Sequence, residues 1–163
     1  GSLQSWSPLF LANVFDKVYA CDSMEWAYRK YIQPTPEWWQ RELHREKPNK
    51  IIVSRDDLVS SQFDDGYFSH VFCISVIEHI PSDRDALREM IRITSPGGKI
   101  FITTDIAPTH RDFSYADYCR IYSPETFSQL LQDVTGERLE INMNWDWMVY
   151  PGRSNVCGVT IEV

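Results

Sequence analysis

Two continuous apolar runs, at 71–77 and 100–102, stand out in the pattern of hydrophobic and polar positions. Each run is bounded by turn-forming or charged residues, and such a run predicts a strand that is buried on both faces of a sheet. Between the two runs, Leu87, Met90 and Ile91 recur at helical spacing. Two buried strands joined by one helix predict a right-handed crossover, so the pattern predicts a parallel sheet.

The flanking segments predict the remaining elements. Helices are indicated by apolar residues at three- and four-residue spacing, often after a capping residue and a proline, and strands by short apolar runs. The predicted elements are a helix over 8–15, a strand over 18–21, a helix capped by Ser23, a helix from Pro36, a strand over 50–53, a helix capped by Ser82 with capping-box spacing, a helix from Pro124 to Gly136, and two strands over 139–149 and 156–163.

This order predicts an α/β fold: a Rossmann-like, doubly wound, mostly parallel sheet that ends in an antiparallel hairpin. The length of 163 residues indicates a single domain over 1–163. Sheets of this kind bind their ligands at the carboxyl ends of the strands. Ser75, Glu78 and His79 lie at the carboxyl end of the first buried strand, and we expect the function to lie there.

The net charge of the chain limits the kinds of molecule that we expect it to bind. Asp and Glu number 23 against 16 Lys and Arg, which gives a net charge of −7, and no basic run interrupts this acidic composition. We therefore expect no nucleic-acid partner. No run reaches the roughly 18 apolar residues of a membrane span, and no signal-peptide pattern opens the chain. We expect a cytoplasmic protein without membrane contact.

The cysteines and histidines are spaced too widely along the chain for a metal site or a disulfide framework. They are Cys21, Cys73, Cys119 and Cys157, with His44, His70, His79 and His110. We expect four reduced thiols and no bound metal.

Four short segments at predicted strand ends carry a family resemblance. They are Val18-Tyr19-Ala20-Cys21-Asp22, Ser54-Arg55-Asp56-Asp57, Ser75-Val76-Ile77-Glu78-His79 and Ser95-Pro96-Gly97-Gly98-Lys99. In this order, and with Tyr122-Ser123-Pro124-Glu125 at the start of the last helix, they resemble the class I S-adenosylmethionine-dependent methyltransferases over nearly the whole chain. The resemblance is one of pattern, and the segment around Ser75 is its most specific part.

The resemblance implies S-adenosylmethionine as the cofactor. Asp22 would accept hydrogen bonds from the ribose hydroxyls, which suits a carboxylate because it only accepts. Asp56, or Asp57 beside it, would receive the adenine amino group, and Ser75 would lie under the methionine part. Helix capping by Asp22 and solvated acids at 56 and 57 are the alternatives. The implied cofactor-binding residues are Gly1, Asp22, Ser23, Asp56, Asp57 and Ser75.

The family's first strand and glycine-rich loop should precede the helix at 8–15, where almost no residues stand. Residues 1–5 are either the tail of a variant loop that begins at Gly1, or they begin with a cloning remnant, Gly1-Ser2. The expected sheet is therefore N-terminally incomplete, and a missing central strand would expose ladder groups and apolar surface. We expect another segment or another chain, such as a second copy, to fill the gap, or else the neighbouring strands to rearrange.

Methyl transfer is an in-line displacement that needs no covalent nucleophile on the protein. Few side chains therefore need a chemical role in the reaction. Histidine titrates near neutral pH, and His79 is the candidate catalytic base for a hydroxyl or amine acceptor. Glu78 would orient His79 or meet the cofactor's amino group. A structural role is the alternative for His79, and a surface salt bridge is the alternative for Glu78. The loop after the second apolar run is expected to hold a small-molecule acceptor, and packing is the alternative role of its aromatic residues. The candidates are His110, Arg111, Tyr115 and Tyr118, with Trp145, Trp147 and Tyr150 at the same mouth.

Two other functions share parts of this pattern. A non-catalytic relative that keeps the sheet but has lost cofactor binding would use the tryptophan-bearing helix and the hairpin as an interaction surface. A nucleotide-dependent oxidoreductase also has an acid after its second strand, but it requires G-x-G-x-x-G, which this chain lacks. We therefore expect a methyltransferase, with the non-catalytic scaffold as the alternative.

Overall fold

A computed structural model describes residues 7–23, 36–47, 49–114, 118–141 and 155–163. The chain divides into two compact units, Gly1–Gln62 and Phe63–Val163. The single domain that the length indicates stays a prediction.

The first unit is built on a pair of parallel strands. Its described elements are α1 (Ser7–Leu11), β1 (Val18–Asp22), α2 (Pro36–Glu46) and β2 (Ile51–Arg55). The strands pair in parallel, from Val18 opposite Ile51 to Asp22 opposite Arg55. Alternate residues of both strands are buried in one core cluster, which consists of Ala12, Val18, Ala20, Leu43, Ile51 and Val53.

These four elements agree with the expected order, and the largest differences are at the ends of α1 and β2. Helix α1 ends at Leu11, whereas the apolar spacing predicted a helix over 8–15. Strand β2 continues to Arg55 because its ladder with β1 extends as far as Asp22. The additional paired residues bring both strands to a common carboxyl edge.

The second unit contains a three-stranded sheet in the order β3-β4-β7. Strands β3 and β4 pair in parallel, and β4 and β7 pair antiparallel. Its described elements are β3 (Phe68–Ile74), a 3-10 turn (Ile77–His79), α3 (Asp83–Ile93), β4 (Thr94–Ile106), β5 (Arg111–Ser114), β6 (Tyr118–Ile121), α4 (Pro124–Thr135) and β7 (Asn155–Glu162).

The predicted parallel strand–helix–strand unit is confirmed as β3-α3-β4. Helix α3 buries Leu87 and Met90 completely, as their helical spacing predicted. Ile100 and Ile102 of β4 are also fully buried. The expected burial of the first strand on both faces is wrong, since Cys73 is the one buried residue of β3 and Ile74 is 38% exposed. With β7 added in antiparallel orientation, the predicted α/β class is confirmed.

The glycine segment at 95–98 differs from its expected form. The sequence predicted a turn there and a strand from 100, whereas β4 already begins at Thr94. The register with β3 shifts between the pairs Phe68–Thr94 and His70–Lys99, so the segment bulges within the paired region. Turn-like backbone is retained at Gly97, whose φ is +76°.

The two predicted serine caps have different outcomes. Ser123 caps α4 as expected, because its Oγ atom accepts from the Thr126 N–H at 3.1 Å. The cap predicted at Ser82 is wrong, since its side chain makes no capping hydrogen bond to α3. Asp83 accepts from the neighbouring Arg84 N–H at 2.8 Å instead, and a carboxylate is the stronger acceptor.

Of the two strands in the predicted C-terminal hairpin, the second is observed. Strand β7 covers Asn155–Glu162, close to the predicted 156–163. Residues 139–141 of the predicted first strand have no regular structure, and 142–149 lie outside the described residues. Gly1 and the helix expected after Ser23 also lie outside them.

A short antiparallel hairpin stands where the sequence predicted a loop. Arg111 of β5 pairs with Ile121 of β6, and Ser114 pairs with Tyr118. The side chains at the predicted acceptor loop are therefore carried partly by strands.

All four cysteines carry free thiols. Burial raises the pKa of Cys73 to about 12, so this thiol stays protonated in the core. In the part of the chain that the structure describes, no helix combines the length and the apolar character that a membrane span requires. The cytoplasmic location stays a prediction.

Candidate functional site

Two predicted cofactor-binding acids lie side by side at the carboxyl edge of the first unit. Asp22 ends β1, and Asp56 follows β2. The backbone N–H of Asp56 donates to the carbonyl of Asp22 at 3.0 Å, which continues the parallel ladder by one step. Both residues are largely buried, at 3% exposure for Asp22 and 9% for Asp56. The predicted placement of both acids at neighbouring strand ends is confirmed, and their role in cofactor binding stays a prediction.

The carboxylate of Asp56 is used within its own loop. It accepts from the Asp57 N–H at 3.0 Å, the Ser61 hydroxyl at 2.7 Å and the Gln62 N–H at 3.2 Å. Three donors around one carboxylate make Asp56 the centre of the turn that follows β2. Asp57 is exposed, and its Oδ1 atom accepts from the Val59 N–H at 3.0 Å.

Ser23 and Cys21 flank the same edge. The Arg55 side chain donates to the Ser23 carbonyl at 3.1 Å, which holds the chain where it leaves β1. The Sγ atom of Cys21 lies 3.3 Å from the Ser54 hydroxyl across the ladder. Burial, together with the charges of the acids beside it, raises the pKa of Cys21 to about 11. This thiol is a structural group at neutral pH.

At the end of β3 in the second unit, Ser75 turns the chain sharply. Its φ is +49°, in the left-handed region that few residues other than glycine adopt. The Ser75 N–H donates to the Thr103 carbonyl at 3.0 Å and to the Thr103 hydroxyl at 3.1 Å, which fixes this conformation. Ser75 is exposed, and the strained backbone agrees with a functional position.

The three residues of the turn Ile77–His79 differ in burial. Ile77 and Glu78 are buried, whereas His79 is exposed. Burial raises the pKa of Glu78, and the nearby charge of Asp105 acts in the same direction. The exposed imidazole of His79 fits the proton-accepting role expected of it, and Glu78 supports the turn from inside.

The predicted acceptor loop is held by polar contacts. In His110, Nδ1 lies 3.0 Å from the Thr126 hydroxyl and Nε2 lies 3.3 Å from Asp112 Oδ2. Tyr115, Trp145 and Trp147, which the sequence also suggested for this region, lie outside the described residues.

Sequence reasoning missed a polar group in the second unit. Asp83 and Arg120 form a buried ion pair, and the Tyr122 hydroxyl donates to Asp83 Oδ2 at 2.9 Å. The residues of these two contacts are 37 and 39 positions apart, so no local spacing could reveal them.

The predicted meeting of Asp22 and Asp56 with Ser75 stays a prediction, since they belong to different units. Within the described residues, no three or more His, Cys, Asp and Glu side chains form a group that could hold a metal ion.

A family model described as a methyltransferase domain matches residues 30–102. The matched segment contains Asp56, Ser75 and His79, and it runs from before α2 into β4.

Two curated relatives are similar to parts of the chain. Phosphoethanolamine N-methyltransferase 2 of Caenorhabditis elegans is 36% identical over 61 residues, which cover 37% of this chain and 14% of the relative. Ubiquinone biosynthesis O-methyltransferase of Xanthomonas oryzae pv. oryzae is 36% identical over 53 residues, which cover 32% of this chain and 21% of the relative. The similar segments thus span about a fifth or less of these relatives.

Solved structures share the fold over most of the chain. Geranyl diphosphate C-methyltransferase from Streptomyces coelicolor has a TM-score of 0.63 at 14% identity and covers 82% of this chain and 50% of its own. The 1,6-didemethyltoxoflavin-N1-methyltransferase of Burkholderia thailandensis has a TM-score of 0.61 at 15% identity and covers 78% of this chain and 53% of its own. The family match and the shared fold confirm the resemblance: residues 30–102 match the methyltransferase-domain model, and the chain has an α/β, Rossmann-like fold that it shares with these methyltransferase structures.

Proposed function

We propose that this protein is an S-adenosylmethionine-dependent methyltransferase that acts on a small-molecule acceptor. The observation that carries the proposal is the family match over 30–102, which includes the acids after β2 and the turn after β3. Two proteins of the same fold contain S-adenosylhomocysteine, the demethylated form of this cofactor, and this supports the choice of cofactor.

The residues at the first unit's edge suit the cofactor's nucleoside. Asp22 is a buried carboxylate at a strand end, and a group that only accepts hydrogen bonds suits the two ribose hydroxyls. Of the two acids after β2, Asp57 suits the adenine amino group better than Asp56. The exposed carboxylate of Asp57 can turn towards a ligand, whereas three donors within the loop already hold that of Asp56.

S-adenosylmethionine, when bound, supplies a methyl group on a positively charged sulfur. The acidic strand ends favour such a cation, because clustered charge of one sign attracts the opposite sign. Ser75, with its exposed position and left-handed backbone, would present its polar groups to the methionine part.

His79 would take the proton that the acceptor loses. Its imidazole is exposed, and the 3-10 turn that carries it is closed by the His79 N–H, which donates to the Val76 carbonyl at 2.9 Å. Both an amine and a hydroxyl lose a proton after methylation, and one histidine can serve either. The names of the two relatives, one an N-methyltransferase and one an O-methyltransferase, support both acceptor types.

Calorimetric titration with S-adenosylhomocysteine tests the proposal. The titration should be made on the 163-residue chain and on any longer form of the protein. We expect one-to-one binding, followed by transfer of a labelled methyl group to a small amine such as phosphoethanolamine or to a simple phenol. If no form of the protein binds S-adenosylhomocysteine, the proposal is wrong and the non-catalytic scaffold replaces it.

A further inference from the structure

One arginine in the second unit contacts four acceptors. The guanidinium of Arg120, on β6, donates to Asp83 at the start of α3 and to the Tyr122 hydroxyl at 3.0 Å. It also donates to Asp112 Oδ1 on β5 at 3.1 Å and to the Pro81 carbonyl at 3.3 Å. Arginine suits this set because its planar group offers five N–H donors in a fixed arrangement.

Two of these contacts hold the connection between the candidate catalytic turn and α3. The turn ends at His79, and α3 begins at Asp83. Pro81 and Ser82 are exposed, so the connection buries little surface of its own. Arg120 therefore holds the connection in its middle, at the Pro81 carbonyl, and at its end, at Asp83.

Tyr122 connects Arg120 and Asp83 to the three-stranded sheet. Its carbonyl accepts from the Ala107 N–H at 2.8 Å, and its N–H donates to the Asp105 carbonyl at 3.1 Å. The side chain is only 1% exposed, and its hydroxyl donates to Asp83 Oδ2 at 2.9 Å. Arg120 precedes Tyr122 by two residues, so its position is set by the carboxyl end of β4.

The ion pair between Arg120 and Asp83 is nearly dry, with 11% and 10% of the two side chains exposed. Burial by itself lowers the pKa of Arg120, but the hydrogen bond to Tyr122 and the charge of Asp83 raise it above its ordinary value. A buried pair adds little net stability over apolar residues of the same size, whereas removing one partner is costly. The pair is therefore better explained by the geometry that it imposes than by stability.

We propose that Arg120 is a positioning residue, which holds the connection after the turn Ile77–His79 so that the imidazole of His79 occupies a fixed place beside the end of β3. The catalytic consequence rests on the proposed function. The positioning itself does not, and it can be measured on the protein alone.

The test compares Arg120→Met with Arg84→Met. Arg84 also lies at the start of α3 and pairs with Asp133 at 2.7 Å and with Asp83 at 4.0 Å, but its side chain is 51% exposed. Backbone amide exchange at His79 and Ile80, whose N–H groups close the turn, reports the order of the connection. The nuclear magnetic resonance signal of the His79 imidazole, assigned with His79→Gln, reports the position of the side chain.

We expect Arg120→Met to speed exchange at His79 and Ile80 by at least about tenfold, because it leaves a buried carboxylate without its partner. The His79 signal should split or broaden, whereas Arg84→Met should leave both readouts within about twofold of the wild type. Arg120→Lys should restore little of the protection, since one ammonium group cannot reproduce the planar fork. Unchanged exchange and an unchanged His79 signal in Arg120→Met would overturn the positioning role.

A milder variant keeps the test decisive where Arg120→Met does not fold. Tyr122→Phe retains the ring and removes only the hydroxyl, which accepts from Arg120 and donates to Asp83 beside their direct ion pair. Exchange at His79 and Ile80 should rise by about threefold or more. Exchange equal to that of the wild type would again reject the proposal.

Calorimetry with S-adenosylhomocysteine on the same variants separates this inference from the proposed function. We expect the affinity of Arg120→Met to stay within about threefold of the wild type, since Arg120 bonds to Asp112 in the predicted acceptor loop. A larger loss would reject that acceptor-side role. If neither the wild-type chain nor any longer form of the protein binds, the proposed function is wrong, and the exchange data still decide the positioning role.

Discussion

The hydroxyl of Thr104 donates to the Oε2 atom of Glu78 at 3.4 Å, and the two residues are 0% and 2% exposed. Thr104 belongs to β4 and Glu78 to the turn after β3, so the contact joins the ends of neighbouring strands. Burial raises the pKa of Glu78, and the contact with Thr104 offsets this only in part. The folded protein therefore binds a proton at Glu78 more tightly than the unfolded chain does.

Glu78→Gln should gain stability relative to the wild type as the pH rises. The pKa of Glu78 is raised on folding, so its contribution to stability is fully present below the ordinary value of 4.5 and is lost as the pH rises through the raised value. Glutamine does not titrate. Urea unfolding between about pH 5 and pH 8 measures the difference in free energy of unfolding. Glu137→Gln, at an exposed position, is the control, and a difference that stays constant with pH would contradict this prediction.

Asp22→Ala should weaken the binding of S-adenosylhomocysteine while the fold survives. Hydrogen bonds to a charged acceptor are worth about 1.5–3 kcal/mol, so we expect an affinity loss of roughly tenfold or more. Calorimetry measures the affinity, and circular dichroism checks the fold. Asp16→Ala, at an exposed acid shortly before β1, should bind like the wild type. An unchanged affinity in Asp22→Ala would remove Asp22 from the cofactor site.

Asp56→Asn and Asp57→Asn should separate stability from binding. Asp56→Asn should lower the free energy of unfolding by about 1–3 kcal/mol, because an amide oxygen replaces a carboxylate that accepts from three donors. Asp57→Asn should change stability by less than about 0.5 kcal/mol, since Asp57 is exposed.

Binding of S-adenosylhomocysteine should follow the opposite order for these two variants. Asp57→Asn should weaken it more than Asp56→Asn does, when both are measured at a temperature where each variant is folded. The reverse order of affinities would return the adenine contact to Asp56.

Gln40→Ala should destabilise the first unit. The Gln40 side chain donates to the Ile51 carbonyl at 2.8 Å and accepts from the Val53 N–H at 2.7 Å. It therefore makes the hydrogen bonds to these two backbone groups of β2 that a neighbouring strand would otherwise make. Their loss should lower the free energy of unfolding by about 1–3 kcal/mol. Urea unfolding checks this, with Arg41→Ala, exposed on the same helix, as the control. Equal stability of the two variants would show that water replaces both bonds.

Gly98→Ala should disturb the pairing of β3 with β4. A Cβ atom at Gly98 would lie 2.7 Å from the Ser95 carbonyl oxygen and 2.8 Å from that of Ser69, and backbone atoms cannot move aside cheaply. We expect a loss of about 1–3 kcal/mol or more in thermal or urea unfolding. Gly158→Ala on β7 is the matched control, since its nearest neighbour would lie 3.7 Å away. A cost no larger than that of the control would mean that the glycine segment relaxes freely.

Locally determined features were the most predictable from the sequence. The cap at Ser123 follows from its own spacing to Thr126, and Gly136 ends α4 with a φ of +78° that glycine adopts without strain. The cap at Ser82 could not be predicted reliably, because a neighbouring carboxylate, Asp83, competed for the same helix start. The hairpin of β5 and β6 was missed, since its short strands lack a long apolar run.

Apart from the hairpin of β5 and β6, the amino-acid sequence by itself determined the order of the described strands and helices. It also placed Asp22 and Asp56 at adjacent strand ends, because burial periodicity and turn residues act within a few positions. Only the tertiary structure decided how the polar side chains there are used. The carboxylate of Asp56 accepts from Ser61 and Gln62, and Arg120 reaches Asp83 across 37 positions. Such contacts depend on which segments the packed core brings within about 3 Å of each other, and no repeat along the chain encodes that distance.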